Sequence, residues 1–430
     1  MQKEILRYCD ALTNANPEVF RFNKTDLRPA IEKKLYFSHV DDNETLTRYI
    51  KTTKIDLNKK STLFSTYLRH LVRKVRLTFS SLDQPEVYGK TSAPLAITFS
   101  RKHVQFLEGL KYDVEFLPDG LITKQMKVSI PELKNTSRFL ITFHYDLLVF
   151  FEAMSALLKK KSPSFILLVE GNSHFDCIAT LCSKSIGLKS LCIQYGWAFT
   201  VHLGFQRMMH DYFLGWGTPF NRVLSPYNEC TKFINFGHAY SDTYKGNPID
   251  RDPLCISVLL QAPARWIGED TFDQFIDTCV SLAQKGFKLL VREHPSWKVS
   301  EKHSALLIKE PNVNLINPTQ VSLEYQMHKS TFSITIMSSV GFESMLFGVI
   351  PIFYQPYMKI DMEPKLENED FCFVFKEEME LSTHIERLIS DDNALETLRL
   401  KLKLASQVYF EYGAQNQLLK FTEIVLSPSK

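Results

Sequence analysis

Five short segments of this chain carry residue types suited to handling a phosphate, a sugar or a proton. Phe332–Tyr354 reads as strand, turn, short helix, strand. Ser338, Ser339 and Gly341 fall where the first strand gives way to the helix, and Glu343 follows about one turn later. Backbone N–H groups at a helix start, with two hydroxyls beside them, form a seat for an anion, and a carboxylate one turn on can accept from ribose hydroxyls. Such a group at the carboxyl end of a parallel strand reads as a nucleotide pocket. Arg292-Glu-His-Pro295 follows another apolar strand. There Arg292 and His294 could stabilise charge on a departing phosphate, with the proline fixing the turn. Glu170-Gly-Asn172 ends the strongest strand of the first half, where a carboxylate could act as base toward a hydroxyl. Gln194-Tyr-Gly-Trp197 ends the next strand; Gly196 permits close backbone approach, and Trp197 offers a face for a sugar or base. His238 and Asp242 close a further strand at a domain junction.

Each has a structural alternative. Glu170 could cap the next helix, His294 could cap its turn, Trp197 could be core, and His238 and Asp242 could cap a linker. The acidic runs Asp361-Met-Glu-Pro and Glu367-Asn-Glu-Asp370 read as solvated surface, so no metal site is expected. Cys177 and Cys182 read as a packed helix-face pair.

The elements that must position these residues alternate between strand and helix. Leu95–Phe99, Val114–Leu117, Phe165–Val169, Ser190–Gln194, Asp211–Leu214 and Lys232–Phe236 read as strands of a first α/β unit, with helices at Lys102–Leu110, Leu147–Lys160 and His174–Ile186. A turn-rich break falls at Tyr244–Pro253. The alternation restarts with strands at Leu254–Leu260, Lys288–Val291, Val313–Ile316, Phe332–Ile336 and Val349–Tyr354, and a helical tail runs from about Ser382 to Leu426. The pattern divides the chain into a helical N-terminal appendage (1–90), a first α/β domain (91–247), a second (248–385) and C-terminal helices (386–430), with a cleft between the α/β units. Within the appendage, Leu63, Phe64, Tyr67, Leu68, Leu71, Val72 and Val75 recur at helical spacing. Arg69, Arg73, Lys74 and Arg76 would lie on other faces, so residues 63–76 are expected to form a basic helix that could touch the inner membrane peripherally.

A chain of 430 residues exceeds one ordinary core, and 44% hydrophobic with 23% charged residues fits a folded globular protein. The net charge of +3 gives no bulk attraction to nucleic acid. Eight cysteines without a C-x-x-C pair suggest reduced thiols in the cytoplasm. The N-terminus lacks an apolar signal core. The most apolar window, Phe139–Leu158, contains His144, Asp146 and Glu152, so any membrane contact is expected to be peripheral.

The order of these motifs, an acidic residue with Gly, then His-Pro, then Ser-Ser, resembles that of bacterial sialyltransferases and polysialyltransferases. Kdo transferases and the glycerophosphate polymerases of teichoic acid synthesis share an R-x-H-P and a Ser-rich loop. The Gln194–Trp197 and Phe236–Asp242 segments are similar to those of capsule and surface polysaccharide synthesis proteins, and the resemblance covers roughly residues 160–355. It implies a GT-B fold, two Rossmann-like domains facing a central cleft, and a metal-independent and inverting glycosyltransferase without cofactor. The donor would be a nucleotide sugar, CMP-sialic acid or CMP-Kdo. The acceptor would be a capsular or lipopolysaccharide glycan or glycolipid, met at the inner face of the cytoplasmic membrane.

By motif match, Glu170 and His294 are the catalytic pair, and Arg292, Ser338, Ser339, Gly341 and Glu343 hold the donor. Asn172, Gln194, Gly196, Trp197 and His238 line the acceptor side or the cleft. The chain departs from the sialyltransferase pattern at Val169, where those families often carry a second acid. Three other readings remain: a UDP-sugar 2-epimerase of the same fold, a CDP-glycerol-type polyol-phosphate transferase, and a non-catalytic polysaccharide-binding scaffold working through the basic helix.

Overall fold

The computed structural model describes residues 1–39, 43–58, 86–88, 93–99, 101–117, 136–197, 199–238, 251–263, 267–358, 362–366, 369–411 and 420–425. A small hairpin, β1 (Arg21–Phe22) with β2 (Thr25–Asp26), precedes two large sheets. The first sheet contains β3 (Glu86–Tyr88), β4 (Leu95–Thr98), β5 (Asp113–Phe116), β6 (Phe165–Val169), β7 (Lys189–Ile193), β8 (Tyr212–Gly215) and β9 (Lys232–Asn235). Their spatial order is β3-β5-β4-β6-β7-β8-β9, parallel except for β3 against β5. The second sheet contains β10 (Asp252–Leu259), β11 (Lys288–Arg292), β12 (Val313–Ile316), β13 (Ser330–Thr335), β14 (Ile350–Tyr354) and β15 (Phe373–Phe375). It is wholly parallel in the order β12-β11-β10-β13-β14-β15. The two parallel-sheet, Rossmann-like domains are those that the strand–helix alternation implied. Buried parallel strands need apolar side chains on both faces, which is why Phe165-Ile-Leu-Leu and Ile350-Pro-Ile-Phe-Tyr are continuous apolar runs.

Strand order fixes where a ligand can enter. In the first sheet the chain steps from β4 to β5 on one side and later places β6 on the other. In the second, β11 and β12 lie on one side of β10, and β13 lies on the other. Each reversal opens a crevice at the strands' carboxyl ends.

The first three helices, Gln2–Ala15, Arg28–His39 and Asn43–Asn58, are not peripheral to the first domain. Ile5, Tyr8, Leu27, Ile31, Leu35 and Leu46 share one buried cluster with Phe139, Leu148, Phe151, Ile166 and Ile178. Burial of their apolar faces against the first domain offsets the entropy of ordering these helices. The C-terminal region is equally integrated. Helix Asp392–Tyr409 packs into the second domain's core, which also takes in Trp197, Trp216 and Phe220 of the first. Phe421 and Ile424 then return to the first domain's other face, and the Lys189 ammonium donates to the carbonyls of Ile424 and Val425 at 2.8 Å.

Short strands β3 and β15 appear where no strand was expected, and the 63–76 helix and most of the 244–253 break lie outside the described residues. Among the described residues no helix is long and apolar enough to cross a membrane.

The returning tail should carry real stability. Phe421 is fully buried, its ring edge-on to Phe165 and Phe106 at 5.4 Å. Phe421→Ala is expected to lower unfolding free energy by about 3–5 kcal/mol in denaturant titration; a loss below about 1 kcal/mol would show that the tail is only loosely docked.

Candidate active site

A cleft of about 530 Å³ opens between the carboxyl ends of the two sheets, and Glu170, Gly196, His294, Ser338, Ser339 and Glu343 all line it. Glu170 stands at the end of β6, and Glu170 and Gly171 both adopt the left-handed region, with φ of 53° and 63°. A non-glycine residue there stores roughly 1–3 kcal/mol, which the surroundings must offset. The neighbour on the inner side is His210, 1% exposed, whose Nδ1 lies 2.9 Å from the Thr180 hydroxyl. A Cβ on Gly171 would sit 1.8 Å from His210 Nε2, so only glycine fits between Glu170 and the imidazole. Burial pushes His210 down to about 3, keeping the ring neutral at physiological pH.

Asn172 donates to Glu170 Oε2 at 3.0 Å. Burial pushes the Glu170 carboxyl above its usual range, with hydrogen bonds from Asn172 and the Gly196 backbone pulling the other way. A half-buried carboxylate of raised proton affinity, held at a cleft wall, is poised to accept a proton. Asn172 itself serves that carboxylate rather than lining the cleft.

The segment after β7 crosses to the second domain. Gln194 is buried; its Oε1 accepts the Trp216 N–H at 2.8 Å, and its Nε2 donates to the Gly196 carbonyl at 3.1 Å. Trp197 corrects an expectation. Its indole is not a stacking platform but is buried edge-on to Phe342 at 4.6 Å, with Nε1 donating to the Glu363 carbonyl at 2.7 Å. A large apolar ring beside an apolar core is better placed inside it than in the cleft. The backbone N–H of Trp197 donates to Ser339 Oγ at 2.7 Å. A Cβ on Gly196 would lie 2.8 Å from Glu170 Oε1 and 3.1 Å from Ser339 Oγ, so these oxygens face each other within about 6 Å. Glycine leaves that space open.

On the second-domain side, Ser338 Oγ accepts the Val340 N–H at 3.3 Å. Each serine oxygen thus accepts one N–H, and each hydroxyl hydrogen can donate to a ligand. The helix they begin is one short turn, Ser339–Glu343, continuing as a 3₁₀ segment to Phe347, so the hydroxyls matter more than a macrodipole. Gly341 faces Thr335 and Phe353 in the core rather than the cleft.

His294 is exposed, and its Nδ1 lies 3.2 Å from the Ser296 backbone nitrogen. A backbone N–H can only donate, so Nδ1 is the acceptor and the neutral ring carries its proton on Nε2. Arg292 departs from the expected role of donor ligand. It borders the cleft, but its guanidinium donates to the carbonyls of Val321 (2.8 Å) and Pro318 (3.3 Å), pinning the loop after β12; burial lowers its proton affinity. Glu343 and His238 are both largely buried, with Oε2 and Nε2 3.8 Å apart at the cleft wall.

Among the lining residues that the sequence reading did not single out are His103, Tyr195 and Gln261. His103 and Gln261 follow β4 and β10, the strands at which each sheet reverses, and strand order is not written in any local motif.

No family model matches the chain, and no curated protein matches it in sequence. Among solved structures it is similar to UDP-GlcNAc 2-epimerase from Neisseria meningitidis bound to UDP-GlcNAc, with TM-score 0.52 and 15% identity over 77% of this chain and 99% of that one. The chain has a GT-B-like fold. Other similar structures are UDP-GlcNAc 2-epimerase from Methanocaldococcus jannaschii (TM-score 0.48, 12% identity, 77% of this chain and 98% of that one) and the lipopolysaccharide outer core galactosyltransferase WaaB in its apo form (0.46, 14%, 77% and 99%). At 15% identity the likeness to the Neisseria meningitidis structure speaks to fold alone, and the two sheets flanking one cleft are the GT-B arrangement.

The environment of Glu170 makes a signed prediction. Its folded-state proton affinity is raised, so its contribution to stability is full below the ordinary Glu range and is lost as pH rises toward the folded value. Glu170→Gln should therefore gain stability relative to the wild type between about pH 4.3 and neutrality. Replacing one acceptor beside Asn172 or Gly196 sets a constant offset, not this slope. Paired thermal unfolding curves across that window check it, and a relative loss with rising pH would contradict it.

Proposed function

We propose that the chain transfers a sugar from a nucleotide donor, CMP-linked sialic acid or Kdo, to a hydroxyl of a surface glycan or glycolipid. The observation that carries this reading is the strained Glu170 carboxylate, of raised proton affinity, facing the hydroxyls of Ser338 and Ser339 across an interdomain cleft. The acceptor oxygen attacks the anomeric carbon as its proton passes to Glu170. The bond from that carbon to the phosphate oxygen breaks with its electron pair, and the hydroxyls of Ser338 and Ser339 with His294 Nε2–H take the charge on the leaving phosphate. Direct displacement by one base inverts the anomeric centre. The acceptor enters from the first-domain side, past His103 and Tyr195. Donors placed where charge develops do the electrostatic work, and no metal is invoked.

A second reading is epimerisation of a UDP-sugar at C2. It is favoured by the Glu343–His238 pair, which puts further acid/base groups in the same cleft. Epimerisation needs no acceptor, so the two separate cleanly: UDP-GlcNAc incubated alone with the protein yields the 2-epimer by proton NMR only in the second case.

For transfer, His294→Ala is expected to lower turnover about 10²–10³-fold in a donor-consumption assay, with the unfolding midpoint unchanged because the ring is exposed. Turnover within twofold of wild type would remove His294 from the mechanism.

A further inference from the structure

The crevice between β10 and β13 is the second sheet's point of reversal, and one side chain spans it. Gln261 follows the end of β10 and lines the cleft with Ser338, Ser339 and His294. Its Oε1 accepts the Met337 N–H at 2.8 Å and lies 3.3 Å from the Thr335 hydroxyl. Thr335 in turn donates to the Leu259 carbonyl at 3.0 Å and accepts the Ser338 N–H at 3.3 Å. The Met337 N–H can only donate, so the orientation of the carboxamide is assigned by this network: oxygen toward Met337, NH₂ on the other branch. Among the described residues no acceptor engages that NH₂. Gln261 is thus anchored by its oxygen to the backbone that carries the serine pair, with two N–H donors uncommitted. Donors in a cleft also lined by Ser338, Ser339 and His294 suit an anionic oxygen, since hydrogen bonds to charged acceptors are the strong ones.

We propose that Gln261 is a direct ligand of the donor's phosphate, its Nε2–H donating to a non-bridging oxygen while its Oε1 holds the Ser338–Ser339 turn in place. This rests on the reading of that turn as the donor seat. It adds a first-strand residue to the serines and His294, so that the phosphate is gripped from both sides of the sheet reversal. One carboxamide serves both tasks, its oxygen on the Met337 N–H and its NH₂ on the other branch.

Two variants of the full chain separate ligation from architecture. Gln261→Glu keeps an oxygen for the Met337 N–H but replaces the NH₂ with a negatively charged acceptor. Gln261→Leu removes the donors without adding charge. CMP and UDP are titrated calorimetrically into all three proteins, and unfolding midpoints are recorded without nucleotide. For the nucleotide that wild type binds, Gln261→Glu is expected to weaken affinity by about ten- to a hundredfold and Gln261→Leu by less, with the Glu variant keeping its midpoint. Binding of Gln261→Glu within twofold of wild type would overturn the assignment. If that variant does not fold, Gln261→Leu binding within twofold would do the same. Wild type that binds neither nucleotide defeats the donor seat itself, and Gln261 as its ligand falls with it.

Discussion

The 2.7 Å hydrogen bond from the Trp197 N–H of the first domain to the Ser339 hydroxyl of the second is the contact around which the cleft is organised. It brings the end of β7 against the end of β13 and thereby sets the Glu170 carboxylate opposite the serine pair. The indole reinforces it from behind, buried against Phe342 and tied to the Glu363 carbonyl, while the Glu363 N–H donates back to the Phe199 carbonyl at 2.9 Å. A bond between two loops would be weak alone. Here it is backed by a continuous apolar core in which Trp197, Trp216 and Phe220 of one domain pack with Phe342, Tyr409 and Phe410 of the other. Desolvation strengthens the bond, and the bond keeps the buried polar atoms paired.

Both sheets reverse their strand order at the cleft. His103 and Glu170 stand at the reversal in the first, Gln261 and the serine pair at that in the second. Two switch points facing each other give one crevice, with Glu170 on one wall and the hydroxyls of Ser338 and Ser339, the Gln261 amide and the His294 imidazole on the other. The strain at Glu170 fits that placement, since left-handed backbone at a non-glycine residue is kept only where packing over-determines it, here by His210 beneath Gly171.

Much of this was legible in the sequence because buried parallel strands leave an unmistakable trace. Phe165–Val169, the Leu289-Leu-Val291 centre of β11 and Ile350–Tyr354 are apolar runs, and the residues just past their ends are the natural site candidates. What the sequence did not disclose depends on long-range geometry. The direction of the Trp197 ring follows from the second domain's core. Arg292 looked free because the carbonyls that engage it, Pro318 and Val321, lie more than 25 residues away. Gln261 sits in no motif and acquires its place only when β13 returns beside β10. The N-terminal helices looked separate because their partners, Phe139 to Phe151, follow them by about a hundred residues.

The proposed transfer requires a nucleotide phosphate between the serine pair and His294, facing Glu170. The decisive experiment is a crystal structure of the protein with whichever of CMP, CDP, UDP or GDP raises its melting temperature. A phosphate oxygen is expected within hydrogen-bond distance of Ser339 Oγ and His294 Nε2, with Glu170 across open space from it. A nucleotide bound outside this cleft, or one whose phosphate contacts neither side chain, would contradict it.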